Sequence, residues 1–322
     1  MSSTPLGEFS LIARYFNRAA TDGNGVDLAV GDDAALLSLG ANEQLVVSTD
    51  TMVAGSHFLA EADPRLVGHK ALASNLSDII AMGATPRWVS LALTLPQIDE
   101  AWLAGFCDGF FALAKAYKVD LVGGDTTKGP LAITITIHGT IPRGKAWLRS
   151  GANVGDTLYI AAPLGESQAG LDFILDNSLV SEQRDALIER HFCTYPRQDL
   201  LLPLRDKVSA ALDISDGLIA DLGHILRASH VGASIDVDRL PLTERLLAHC
   251  DHNWQKAVTM ALTSGEEYTL CFTSSAALDC AALNIFPIGV ITEDTAVVLT
   301  AQGEPLDWQL TGFEHFGDSC GS

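Results

Sequence analysis

Four times along this chain a short apolar stretch runs into an aspartate flanked by glycine or a hydroxyl residue. Val30 is followed by Gly31-Asp32-Asp33, and Val47 by Ser48-Thr49-Asp50-Thr51. Val122 leads into Gly123-Gly124-Asp125-Thr126-Thr127, and Leu212 into Asp213-Ile214-Ser215-Asp216-Gly217. Apolar runs this short, bounded by turn residues, read as strands. The segment 132–140 adds a half-buried strand, because Ile133, Ile135 and Ile137 alternate with Thr134, Thr136 and His138. Its isoleucine face suits burial.

Helical spacing lies between these strands. Leu11, Ile12, Tyr15 and Phe16 predict a helix over 8–19. Asp63-Pro64 reads as a cap followed by proline at the first helical position, and Gly83 as the stop, which predicts a helix over 64–82. A second helix is expected over 99–117. The run from Pro142 to Gly151 breaks the pattern and sets a domain boundary, giving units 1–145 and 146–322. The second unit is expected to hold strands over 156–162, 233–237 and 268–273, another leading into Asp213, and helices over 167–175 and 218–229. Strands and helices mix in both halves, so the fold class is α/β or mixed α+β.

The chemistry of the four turns points to a hard cation. Mg²⁺ takes oxygen ligands, and carboxylates beside hydroxyls and backbone carbonyls supply them. Aspartate and glycine also make ordinary turns and caps, so no single motif decides the matter. Asp78 differs, because it sits inside the 64–82 helix three residues from Asn75, on the same face. The ordinary role of such a face is solvation; the functional one is a ligand reaching the same metal from a helix.

Charge and composition exclude several classes. The 322 residues carry 40 acidic and 20 basic side chains, a net charge of −20, with no Lys/Arg block. Such a surface repels polyanions, so nucleic acid is not an expected partner. No apolar run reaches about 18 residues, so no membrane span is expected. The N-terminus lacks the pattern of a secretory signal, and the six cysteines form no CxxC pair, which together predict reduced thiols in the cytoplasm. There is no GxxxxGK[ST] loop, no dinucleotide fingerprint, no GxSxG elbow and no HExxH.

The ordered set of motifs closely resembles the thiamine-monophosphate kinases. It comprises Gly7-Glu-Phe-Ser-Leu-Ile, Gly31-Asp-Asp-Ala-Ala, Ser48-Thr-Asp-Thr, Gly55-Ser-His-Phe and Asn75-Leu-Ser-Asp. Gly123-Gly-Asp-Thr-Thr, Leu148-Arg-Ser-Gly-Ala, Asp213-Ile-Ser-Asp-Gly-Leu, Ser264-Gly-Glu-Glu-Tyr and Gly312-Phe-Glu-His-Phe continue it along nearly the whole chain. The resemblance implies a two-domain fold like that of aminoimidazole ribonucleotide synthetase. It also implies a homodimer made through the N-terminal sheets, and transfer of the γ-phosphoryl of ATP to thiamine monophosphate. By motif it implies that Asp32, Ser48, Thr49, Asp50, Asp78, Asp125, Asp213 and Asp216 hold several Mg²⁺ ions. Gly124, Asp125, Arg149 and Ser215 are the implied ATP contacts, and His57, Glu266 and Phe313 the thiamine-phosphate contacts. Glu267 stands where this family usually shows aspartate. Hydrogenase-maturation dehydratases and selenophosphate synthetases of the same superfamily fit less well. Cys320 is not the last residue, and the first cysteine is Cys107.

Overall fold

The computed structural model describes residues 11–308. The chain divides into two compact units, Met1–Ala146 and Trp147–Ser322. The first holds a two-stranded ribbon, β1 (Val26–Leu28) and β2 (Leu36–Leu37), and a four-stranded sheet. That sheet is built from β3 (Glu43–Val53), β4 (Thr85–Leu95), β5 (Asp120–Lys128) and β6 (Ala132–Pro142), in the order β3-β6-β4-β5. Two helices connect its strands, α1 (Pro64–Ala81) and α2 (Glu100–Tyr117).

The expected cap and stop of the first helix are present, and the second helix proves to be capped as well. The Asp63 carboxylate accepts from the Arg65 N–H at 2.8 Å, with Pro64 at the first helical position. Asp99 accepts from Ala101 and Trp102 at 2.9 and 3.1 Å. Gly83 ends α1 with φ of 75°, and Lys118 ends α2 in the left-handed region.

Helix α1 is enclosed nearly all round. It packs on β3, β4 and β6 and also on α2, and Ser74, Asn75 and Ser77 are buried along with its apolar residues. The solvated face allowed for in the sequence is therefore absent. Ile133, Ile135 and Ile137 are covered on this side of the sheet, while Leu45 and Val47 lie exposed on the other. The two helices approach to backbone contact. A Cβ on Gly68 would lie 2.1 Å from the Phe106 carbonyl oxygen, and one on Gly109 only 1.9 Å from that of Arg65. Gly109→Ala is expected to lower stability by about 1–3 kcal/mol, despite alanine's better helix propensity, because the two backbones must separate. Urea denaturation reads this; an unchanged midpoint would mean that the helices part freely.

The second unit is a seven-stranded sheet with helices against it. Its strands are β7 (Thr157–Ile160), β8 (Ala210–Ile214), β9 (Gly232–Asp236), β10 (Thr269–Ser274), β11 (Phe286–Thr292), β12 (Val297–Ala301) and β13 (Glu304–Pro305). They run in the order β13-β12-β9-β11-β7-β10-β8, antiparallel except for β12 beside β9. The main helices are α3 (Glu166–Leu175), α4 (Arg184–Phe192), α5 (Leu218–Ser229), α6 (Glu244–His249) and α7 (Trp254–Thr263). One apolar core joins them, including Leu158, Phe173, Leu212, Leu222 and Ile288. Among the described residues, the cysteines at 107, 193, 250, 271 and 280 are in no disulfide.

Two expectations need correction. The helix over 8–19 is, among the described residues, only the turn Ile12–Phe16, because Asn17 takes extended backbone. The aspartates were also expected on turns after strands. Instead Asp50 lies inside β3 and Asp125 inside β5, since both strands continue through their polar residues. Cross-strand threonine pairs carry β3 onward. Thr49 bonds Thr136 and Thr51 bonds Thr134, each at 2.9 Å.

Candidate functional site

In the first unit, strand alternation decides which side chains meet. Ser48 and Asp50 pair with Ile137 and Ile135, which puts both on the face covered by α1. There the Ser48 hydroxyl donates to Asp78 Oδ2 at 2.5 Å. Burial, followed by repulsion from Asp78, raises the Asp50 carboxyl to about 6. Strand and helix thus deliver two carboxylates and a hydroxyl to one place. Ser48, Asp50 and Asp78 are brought together on this face.

Thr49 does not join them through its side chain. Its hydroxyl bonds that of Thr136 on the opposite face, so only its backbone lies beside Ser48 and Asp50. Asp125 is exposed and pairs with Ala92 in the row of Thr134 and Thr51, so the register sets it on that opposite face too. Gly124 beside it has φ of 153°, and a Cβ would lie 1.9 Å from the Leu91 carbonyl oxygen, so no side chain fits there. Asp32 stands on an exposed turn, where its carboxylate accepts from the Asp33 N–H at 2.8 Å. His57 follows β3 and accepts through Nδ1 from the Val53 N–H at 3.1 Å. Its ring proton is therefore on Nε2.

In the second unit, β8 delivers Asp213, and the turn Ser215-Asp216-Gly217 opens α5. Asp221, in the first turn of α5, reaches back to accept from the Ser215 and Asp216 N–H groups at 2.9 and 2.8 Å. Burial nevertheless pushes its carboxyl up to about 6. The segment 264–268 crosses this turn, with the Glu266 N–H bonded to the Ser215 carbonyl at 2.6 Å and that of Tyr268 to Ile214 at 2.7 Å. Ser215, Asp216 and Glu266 thus gather in one knot. Arg149 is exposed nearby, close enough to pull the Asp221 carboxyl down against its burial. The Ser229 hydroxyl tethers its backbone, donating to the Arg149 carbonyl at 3.0 Å. Phe313 lies outside the described residues.

Sequence reasoning gave no role to four side chains around this knot. Glu267 is 1% exposed and accepts from the Gly165 and Ser167 N–H groups, the Ser264 hydroxyl and Arg190, the last at 2.9 Å. It thus caps the start of α3. Arg190 and His191 come from α4, whose polar spacing gave no sign of them. Asp221 did carry a signal, being an acid in the first turn of a helix.

Comparison with known proteins gives a consistent result. The family described as AIR synthase related protein, N-terminal domain, matches residues 31–141, and its C-terminal counterpart matches 153–302. The chain is 47% identical to the thiamine-monophosphate kinase of Salmonella typhimurium over 321 residues, which is 96% of this chain and 98% of that one. Among solved structures, the thiamine-monophosphate kinase of Stenotrophomonas maltophilia superposes with a TM-score of 0.80 at 39% identity, covering 88% of this chain and 93% of that one. A structure described as AaThiL complexed with AMPPCP and TMP superposes at 0.78 with 31% identity, covering 89% and 92%. Escherichia coli HypE, at 22% identity and a TM-score of 0.74 over 96% of this chain and 98% of that one, shares the fold alone.

Proposed function

The chain belongs to the thiamine-monophosphate kinase family and makes thiamine diphosphate from thiamine monophosphate and ATP; we propose that it does so by direct in-line transfer at a magnesium site. The observation that carries the magnesium reading is the meeting of Ser48, Asp50 and Asp78 on the covered face of β3. Two carboxylates held together without a cation repel each other, and the donors are all oxygen, which suits Mg²⁺. Asp32, the Thr49 carbonyl and, on the other face of the sheet, Asp125 are the first unit's further candidates for several ions, and Asp213 and Asp216 are those of the second. Bound there, magnesium would neutralise phosphate oxygens, which reconciles a chain of net charge −20 with two anionic substrates.

The remaining roles follow from side-chain chemistry. The His57 Nε2–H and the Arg149 guanidinium are donors suited to phosphate oxygens. Gly124, whose side-chain space is filled by the Leu91 backbone, can offer a nucleotide only its own backbone. Glu266 offers a carboxylate to the cationic acceptor, and Phe313 an aromatic face. The accompanying reading of a homodimer is supported by exposed Leu45 and Val47 on the uncovered face of the first sheet.

An acceptor that is already an anionic phosphate oxygen needs alignment rather than a strong base. That oxygen bonds to the γ-phosphorus as the bond to the β–γ bridging oxygen breaks, and ADP leaves. Initial rates of ADP release are expected to depend on thiamine monophosphate and to give intersecting double-reciprocal lines, with free thiamine a far poorer acceptor. Parallel lines, together with label retained on denatured protein after incubation with γ-labelled ATP alone, would overturn direct transfer.

A further inference from the structure

Two consecutive residues at the end of α4 meet two consecutive carboxylates of the 264–268 segment. Arg190 Nη2 lies 2.9 Å from Glu267 Oε2, and His191 Nε2 lies 3.5 Å from Glu266 Oε2. Glu266 has φ of 55°, a left-handed backbone that sends adjacent side chains in different directions. The Glu267 carboxylate is wholly enclosed, whereas the Glu266 side chain keeps 27% of its surface open. One pair anchors the segment; the other ends at a carboxylate that a ligand can reach.

His191 is well fixed for this purpose. It is 2% exposed, and its ring stands edge-on to Phe192 at 5.1 Å. Its Nδ1 lies 3.1 Å from the Ser167 hydroxyl oxygen and 3.0 Å from the Ser167 carbonyl oxygen. Ser167 belongs to the first turn of α3, the same turn that Glu267 caps. A glutamate side chain has three rotatable bonds, and holding its carboxylate in advance removes a cost otherwise met on binding.

We propose that His191 is a positioning residue for the acceptor substrate, orienting the Glu266 carboxylate toward thiamine monophosphate. This rests on Glu266 being an acceptor contact. The test uses the full-length enzyme with saturating ATP and Mg²⁺. His191→Leu removes the group facing Glu266 and is expected to raise the KM for thiamine monophosphate about tenfold, the effect of losing one contact to a charged group. The KM for ATP and kcat should stay within about threefold. His191→Gln can place an amide N–H near the Nε2 position and should restore most of the loss. Ser167→Ala, a smaller change that leaves the ring in place, should raise the same KM about threefold. In a Glu266→Gln background none of these changes should add to the KM already raised.

Additive effects, an equal rise in both KM values, or a Gln variant no better than Leu would overturn the positioning role. So would an unchanged KM in Ser167→Ala if His191→Leu does not fold. If Glu266→Gln itself leaves the KM for thiamine monophosphate unchanged, the contact assignment fails first and this inference with it. If Glu266→Gln raises that KM and the His191 variants do not, only the inference fails.

Discussion

Asp50→Asn is expected to cut turnover on the order of 100-fold or more while making the metal-free protein more stable. Both effects have one origin. Asp50 is buried beside Asp78, and its carboxyl is raised from 3.8 to about 6. A carboxyl raised on folding contributes stability that is complete below its unfolded value and is lost as pH rises through its folded value. At pH 7.5 the metal-free wild type therefore carries the full repulsion. Asparagine keeps the shape and removes one charge. A shift of this size corresponds to roughly 3 kcal/mol as a ceiling, and partial solvent access brings the expected gain to about 1–2 kcal/mol. The gain should be largest above pH 6 and shrink toward pH 4.

Millimolar Mg²⁺ should reverse the order, because at the proposed metal site the wild type would bind it more tightly than the variant and be stabilised by binding. Thermal unfolding with and without the metal, alongside ADP release, measures all of this. A folded variant that turns over within about threefold of wild type would remove Asp50 from the metal site. So would a variant whose stability responds to Mg²⁺ as the wild type does.

The second large effect concerns stability. Glu267→Ala should cost about 3–5 kcal/mol, the usual loss when one member of a buried ion pair is removed. Arg190 would keep its charge with no carboxylate facing it, and the Gly165 and Ser167 N–H groups would lose their acceptor at the start of α3. A loss of that size is a large part of the 5–15 kcal/mol that typically holds a domain together. Glu267→Gln should remain costly, because its amide can present oxygen to the N–H groups or to Arg190, but not to both. Urea denaturation provides the measure. A loss under about 1 kcal/mol would show that the enclosed carboxylate is dispensable. Because the same segment carries Glu266, variants that still fold should also bind the acceptor less well.

Much of the fold was legible because its signals are local. The cap at Asp63, the stop at Gly83 and the alternation of Ile133, Ile135 and Ile137 each depend on a few neighbouring residues. The helix over 218–229 was placed to the residue, since Gly217 and a strong apolar stripe bound it. Strand ends were less legible. Polar side chains at 48–51 and 125–127 looked like turns, yet hydrogen bonds to β6 and β4 hold them in strands. Buriedness of the polar residues on α1 was illegible as well, because the helix is covered by α2 on the side away from the sheet.

The sequence by itself determined which residue types are available and in what order: aspartates after apolar stretches, glycines where backbones must come close, and an ordered motif set specific enough to mark the family. These are properties of short segments, and short segments carry them intact. Tertiary structure alone decided which of those groups share a space. Alternation along β3 separates Asp50 from the Thr49 hydroxyl one residue away, while the packing of α1 brings Asp78 to Ser48 from 30 residues along the chain. Glu267, Arg190 and His191 acquire their roles the same way, from segments that meet only when the second unit's core closes. A carboxylate's partners, burial and charge state depend on distances in space, and those distances are fixed by packing.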